Sequence, residues 1–111
     1  MKDEISPFKA LDYLRDNAEE YGRCKANVIY LQEFRKSKKS LLMNQSDLKT
    51  ESAKEAFAYA HEEYQDHLAA IRVAIEEYES MRWMMIAAQA KVSVWQTLEA
   101  TARIEMKASN I

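Results

Sequence analysis

The sequence predicts an all-α protein: a long antiparallel helical hairpin, coiled-coil-like in its packing, with a short connector helix, assembling into a helical bundle. Three observations carry that reading. The 111 residues include one glycine and one proline, where an average chain of this length holds about seven and five, so little punctuates the backbone. Ala, Glu, Lys, Leu, Met, Gln and Arg, the residues that lose least on entering a helix, dominate. Apolar side chains recur at steps of three and four through two long stretches.

The first helix is predicted over about residues 7–43. Ser6 is a good N-cap, and Pro7 occupies the first helical position, where its missing N–H costs nothing. Phe8, Leu11, Leu14, Ala18 and Tyr21, then Val28, Leu31 and Phe34, form one stripe expected to be buried. Gly22 falls inside the helix at a cost of about 1 kcal/mol relative to Ala; close approach of another helix is the favoured reason, a hinge the other.

The stripe ends at "NQSDLKTES", residues 44–52, the one cluster of polar turn formers, and the chain is expected to reverse there. Ser52 and Glu55 have capping-box spacing, which predicts a new helix starting near Ala53. One or more helices then run over about residues 53–108, and propensity does not decide whether they break near His61.

The final helix carries Tyr64, Leu68, Ile71, Ile75, Tyr78, Met81, Met85, Ala88, Val92, Trp95, Ala102 and Met106 as its stripe. At 1.5 Å per residue, about 45 residues make roughly 65–70 Å of helix, which must pair lengthwise with the first. Within it, Trp83, Met84, Ile86, Ala87, Ala90 and Val94 point away from that stripe. They form an apolar patch that needs a cover: the short helix folded back, a second copy of the chain, or another protein. A two-helix hairpin has a thin core, so self-association is favoured. Trp83, Met84, Ile86, Val94 and Trp95 are the candidate interface residues.

Composition excludes some classes. With 48% hydrophobic and 31% charged residues, the chain is neither a disordered tail nor a membrane protein. The longest apolar run, Trp83 to Ala88, is far short of the roughly 20 residues that span a bilayer. The start "MKDEISPFKALDY" has no apolar signal core and Cys24 is alone, so a cytoplasmic protein without an intrachain disulfide is expected.

The net charge of −2 hides a strong segmentation: residues 21–45 sum to +5 and residues 46–80 to −6. In "EFRKSKKS", Arg35, Lys38 and Lys39 share a face with Lys36 beside them, a candidate seat for nucleic-acid phosphates, with Tyr30 and Phe34 near enough to stack on bases. The plainer reading is cations solvating a helix end whose dipole favours them. The acidic stretch lies just past the turn, where it is placed to neutralise the basic end, or to mimic phosphate toward a basic groove on a DNA-processing enzyme.

Catalysis and metal binding find little support. Glu63 and His67 are spaced i, i+4, as are Glu62 and Asp66, with His61 close by, but a di-iron bundle needs a second Glu-x-x-His and the chain has two histidines in all. Cys24 offers no zinc spacing and no nucleophile with a paired base. One glycine leaves no phosphate-cradling loop. The reading is a protein that is not an enzyme, with no cofactor, no metal and no small-molecule substrate.

The runs "AEEYGRCKANVIYLQEFRKSKKSLLM", "AYAHEEY" and "RWMMIAAQAKVSVWQTLEATAR" resemble small uncharacterised all-helical proteins of tailed bacteriophages, encoded in early regions with recombination and replication genes. The resemblance spans about residues 11–103 and rests on Lys25-Ala26, "FRKSKK", "AYAH", Trp83 and Trp95. It implies location in the host cytoplasm and action by binding, either to DNA intermediates or to a host or phage protein that handles them. Some members carry proline after the histidine, where this chain has Glu62, which favours a break near His61. The group has no assigned functional residues to transfer. The expected function is therefore a non-enzymatic oligomeric accessory protein in DNA metabolism or recombination, binding nucleic acid or a DNA-processing protein. The alternative is an inhibitor or adaptor directed at a host enzyme.

Overall fold

The structure is a computed structural model that describes residues 6–110. Residues 1–5, the beginning of the segment read for a signal core, and Ile111 lie outside the described residues. Among the described residues three helices follow in a helix–connector–helix order: α1 (Pro7–Gln45), α2 (Glu51–Ala60) and α3 (Glu62–Ser109). Among the described residues there is no strand, and no helix is long and apolar enough to cross a membrane.

Helix α1 starts as expected: the Ser6 hydroxyl accepts from the Lys9 amide at 3.3 Å, which satisfies one of the four N–H groups a helix start leaves open. The helix ends at Gln45, where the Ser46 amide bonds the Met43 carbonyl and the Ser46 hydroxyl accepts from the Leu48 amide.

The cap of α2 differs from the expected one. Thr50, not Ser52, is the N-cap, its hydroxyl accepting from the Ala53 amide at 3.1 Å. Ser52 therefore lies inside the first turn. Thr50 has the extended backbone a cap requires, and Glu51 then places a carboxylate at the positive end of the helix.

His61 divides α2 from α3 without glycine or proline. Its backbone is extended (φ −66°, ψ 139°), and its amide bonds the Ala58 carbonyl, closing α2. Its ring Nδ1 accepts from the Glu63 amide at 3.0 Å, so one residue ends one helix and caps the next. The Gln65 side-chain amide reaches back to the Tyr59 carbonyl at 2.7 Å, satisfying a group that the end of α2 would leave open. Glu62 and Glu63 in the first turn of α3 favour the new helix start.

The described residues divide into two compact units, one made of residues 6–21 with 80–110 and the other of Gly22–Glu79. In the second, which holds the connector, the core is Leu42 and Ala58, both fully buried, with Tyr64 and Met43 packed against them. Burying one leucine of this kind contributes about 1.5–3 kcal/mol. Val28, Leu31, His67, Ile71 and Ala74 extend this interior between α1 and α3, which run antiparallel. Leu68, expected in the stripe, is instead exposed.

In the unit of chain ends, Ala10 and Ala88 are buried, with Leu14, Tyr21, Met81, Met85, Val92 and Trp95 half-buried. Here the expected α1 stripe is displaced. Phe8 is 74% exposed and Leu11 50%, and Ala18 is exposed too. The inward positions are Pro7, Ala10, Leu14, Asn17 and Tyr21, a strict three-four alternation that continues through Cys24, Val28 and Leu31. Inward residues of α3 repeat likewise: Tyr64, His67, Ile71, Ala74, Tyr78, Met81, Met85, Ala88, Val92 and Trp95. A heptad needs apolar character on average along its seam, not a large side chain at each point, so the small Ala10 takes the α1 seam position that a search for bulk assigns to Phe8 and Leu11, and the small Ala74 is buried in α3 beside the half-buried Ile75. Met106, also expected inside, is 65% exposed.

Gly22 is not explained by a close helix approach. A Cβ built on it meets nothing within 4 Å, its φ is negative, and α1 continues through it.

A candidate nucleic-acid interface

The break at His61 brings three helices around one recess in the connector unit. Arg35, Lys36 and Lys39 of α1 face Tyr59 from the end of α2 and Tyr64 from the start of α3, around an open space of about 320 Å³. Tyr59 and Tyr64 meet edge to face, centroids 5.3 Å apart at 74°, the geometry an aromatic quadrupole prefers.

Lys39 is the organising cation. Its ammonium lies 3.3 Å from the Glu55 carboxylate and 4.8 Å from the centroid of the Tyr59 ring. Contact with the Tyr59 side chain, then with Glu55, holds its pKa above the ordinary lysine value. Lys39–Glu55 is also the contact in which the basic end of α1 meets the acidic segment. Among the described residues, neither Arg35 nor Lys36 has a carboxylate partner, and both are exposed.

The four basic residues read from the sequence thus separate. Arg35, Lys36 and Lys39 line the recess, while Lys38 is half-buried and about 100° around the helix from Lys39. The expected stacking partners lie elsewhere: Tyr30 is about half a turn from Lys39 and stacks on Phe34 at 5.8 Å, and Phe34 packs on His67. Tyr59, Tyr64 and Glu55 join the cluster without having been expected there. Their signal in the sequence is the spacing of Tyr59 and Tyr64 across His61, which acquires meaning once the helix breaks there.

The residues weighed as metal ligands are engaged otherwise. His67 is buried, with Nε2 at 2.7 Å from the Leu31 backbone oxygen. His61 caps α3, and Cys24 is half-buried in α1. Among the described residues, no group of three or more His, Cys, Asp or Glu side chains is placed to hold a metal.

The candidate interface residues lie on α3 in the unit of chain ends. Trp83, Met84 and Val94 are exposed, by 60%, 54% and 46%. Ile86 and Trp95 are half-buried, and the Arg82 guanidinium lies 5.4 Å from the Trp83 ring centroid. Trp83 and Val94 belong to a longer series on the side of α3 away from its buried seam: Trp83, Ala87, Ala90, Val94, Thr97, Thr101, Ile104 and Ala108. All eight are exposed and none is charged. Their steps of four and three form a second heptad seam where a helical hairpin ordinarily carries charge. A shallow apolar depression of about 220 Å³ between Ser93, Val94, Thr97 and Leu98 lies along it.

Comparison of the chain with protein-family models, curated proteins and solved structures returns no match.

Proposed function

We propose that this protein is a non-enzymatic, self-associating helical accessory factor of phage DNA metabolism that binds nucleic acid through the face around Arg35, Lys36 and Lys39. One observation carries the reading: three cations of α1 and two tyrosines from the other helices converge on one open recess. Cations neutralise backbone phosphates, and aromatic rings beside them add contacts that ordinary surface lysines lack. The phage context rests on the resemblance of the "FRKSKK", "AYAH" and tryptophan segments.

Fluorescence anisotropy with a labelled single-stranded oligonucleotide tests this. Affinity is expected to fall with salt at a slope of about −1.4, the value for two neutralised phosphates on a single strand, because Lys39 is already paired with Glu55. Absence of binding at low salt would sink the reading.

The exposed, uncharged seam from Trp83 to Ala108 supports the self-association, and it favours the second reading as well, an adaptor or inhibitor docking on a host enzyme. In that case the seam would be covered by the other protein and the purified chain would be monomeric.

A further inference from the structure

We infer that the recess between Arg35, Lys36, Lys39, Tyr59 and Tyr64 seats a terminal phosphomonoester of a nucleic-acid strand, an inference that rests on the nucleic-acid reading above. Shape gives the first argument. The recess is lined from all three helices, because the break at His61 turns Tyr59 and Tyr64 toward the Arg35–Lys39 turn of α1. Its volume of about 320 Å³ is at the lower end of small-ligand sites, which matches a phosphate with its sugar more than a longer segment.

Charge gives the second. Lys39 is paired with Glu55 at 3.3 Å, so three cations against one carboxylate leave two positive charges uncompensated. A phosphomonoester carries about −1.5 to −2 at neutral pH and presents three acceptor oxygens. An internal phosphodiester carries one negative charge and leaves the second cation unmatched. The donors also suit the monoester: the planar Arg35 guanidinium can hold two oxygens at once, Lys36 offers a mobile point charge, and the phenol groups of Tyr59 and Tyr64 can donate to the remainder.

The experiment compares one oligonucleotide sequence carrying a 5′-phosphate, a 3′-phosphate or hydroxyls at both ends, bound to the full chain at low salt. At least one phosphorylated end is expected to bind about tenfold more tightly than the hydroxyl form. The end that does so identifies the polarity. Arg35→Ala and Lys36→Ala, both at exposed positions, should abolish that preference, while Lys25→Ala outside the recess should preserve it; circular dichroism checks that all three stay helical. Equal affinity for phosphorylated and hydroxyl ends overturns the inference and leaves nucleic-acid binding in place. No binding to any of the three overturns both. A preference that survives Arg35→Ala and Lys36→Ala overturns the assignment to this recess.

Discussion

The Nε2 of His67 lies 2.7 Å from the backbone oxygen of Leu31, across the α1–α3 seam of the connector unit. A carbonyl oxygen only accepts, so Nε2 carries the proton and donates. A helix carbonyl has a second lone pair to offer, and this bond joins a side chain of one helix to the main chain of the other. The ring also packs on Phe34, 5.8 Å between centroids. His67→Ala removes the bond and leaves space in a buried seam, so it should cost about 2–4 kcal/mol. Urea unfolding measures this, and an unchanged midpoint would contradict the packing described.

Gly22 tests the backbone of α1. A methyl group added at its Cα would meet nothing within 4 Å, and the backbone there is helical, so alanine gains the propensity that glycine forfeits and loses no contact. Gly22→Ala should stabilise the protein by about 0.5–1 kcal/mol. Thermal unfolding reads the shift, and destabilisation would mean that the position needs glycine for a reason other than space.

The His61 break makes a sharper prediction. Glu62 is the first residue of α3, where the amide has no helical partner, and His61 before it has φ −66° and ψ 139°, the extended conformation a residue preceding proline adopts. Glu62→Pro should therefore be tolerated within about 0.5 kcal/mol. Proline at Arg72, inside α3, should cost about 3 kcal/mol or more. Equal thermal shifts for the two variants would show that the helix runs through His61.

Self-association is read by light scattering. The proposed second seam predicts a solution mass above the 12.9 kDa of the monomer. Replacing Val94 and Ile104, which are 46% and 68% exposed, with glutamate puts like charges into that seam and should return the protein to monomer with helicity intact. A wild-type chain that is strictly monomeric at micromolar concentration would remove the homo-oligomer and leave the seam to a different protein.

Much of the architecture is legible in the sequence because helical periodicity and the scarcity of helix breakers are local properties. Ser6 and Pro7 mark the start of α1, and the polar run at 44–52 marks its end. Cap choice is less legible: Thr50 and Ser52 both offer a hydroxyl, and the backbone conformation at Thr50 selects between them. Phe8 and Leu11 mislead about the inward face because size is a poor substitute for register. Once Ala10 and Ala74 are allowed as seam residues, the two heptads are unbroken over most of their length.

By itself the sequence determined the helical class, the two long helices, the place where the chain turns, and the concentration of positive charge at Arg35–Lys39. Each follows from residues within a few turns of one another, where propensity, capping and periodicity act. Only the tertiary structure decided that the helix breaks at His61, that Lys39 meets Glu55 and Tyr59, and that Tyr64 rather than Tyr30 faces the basic cluster. Those contacts join residues far apart in the chain. They depend on the register between packed helices, and a difference of one residue there turns a side chain about 100° away from its partner.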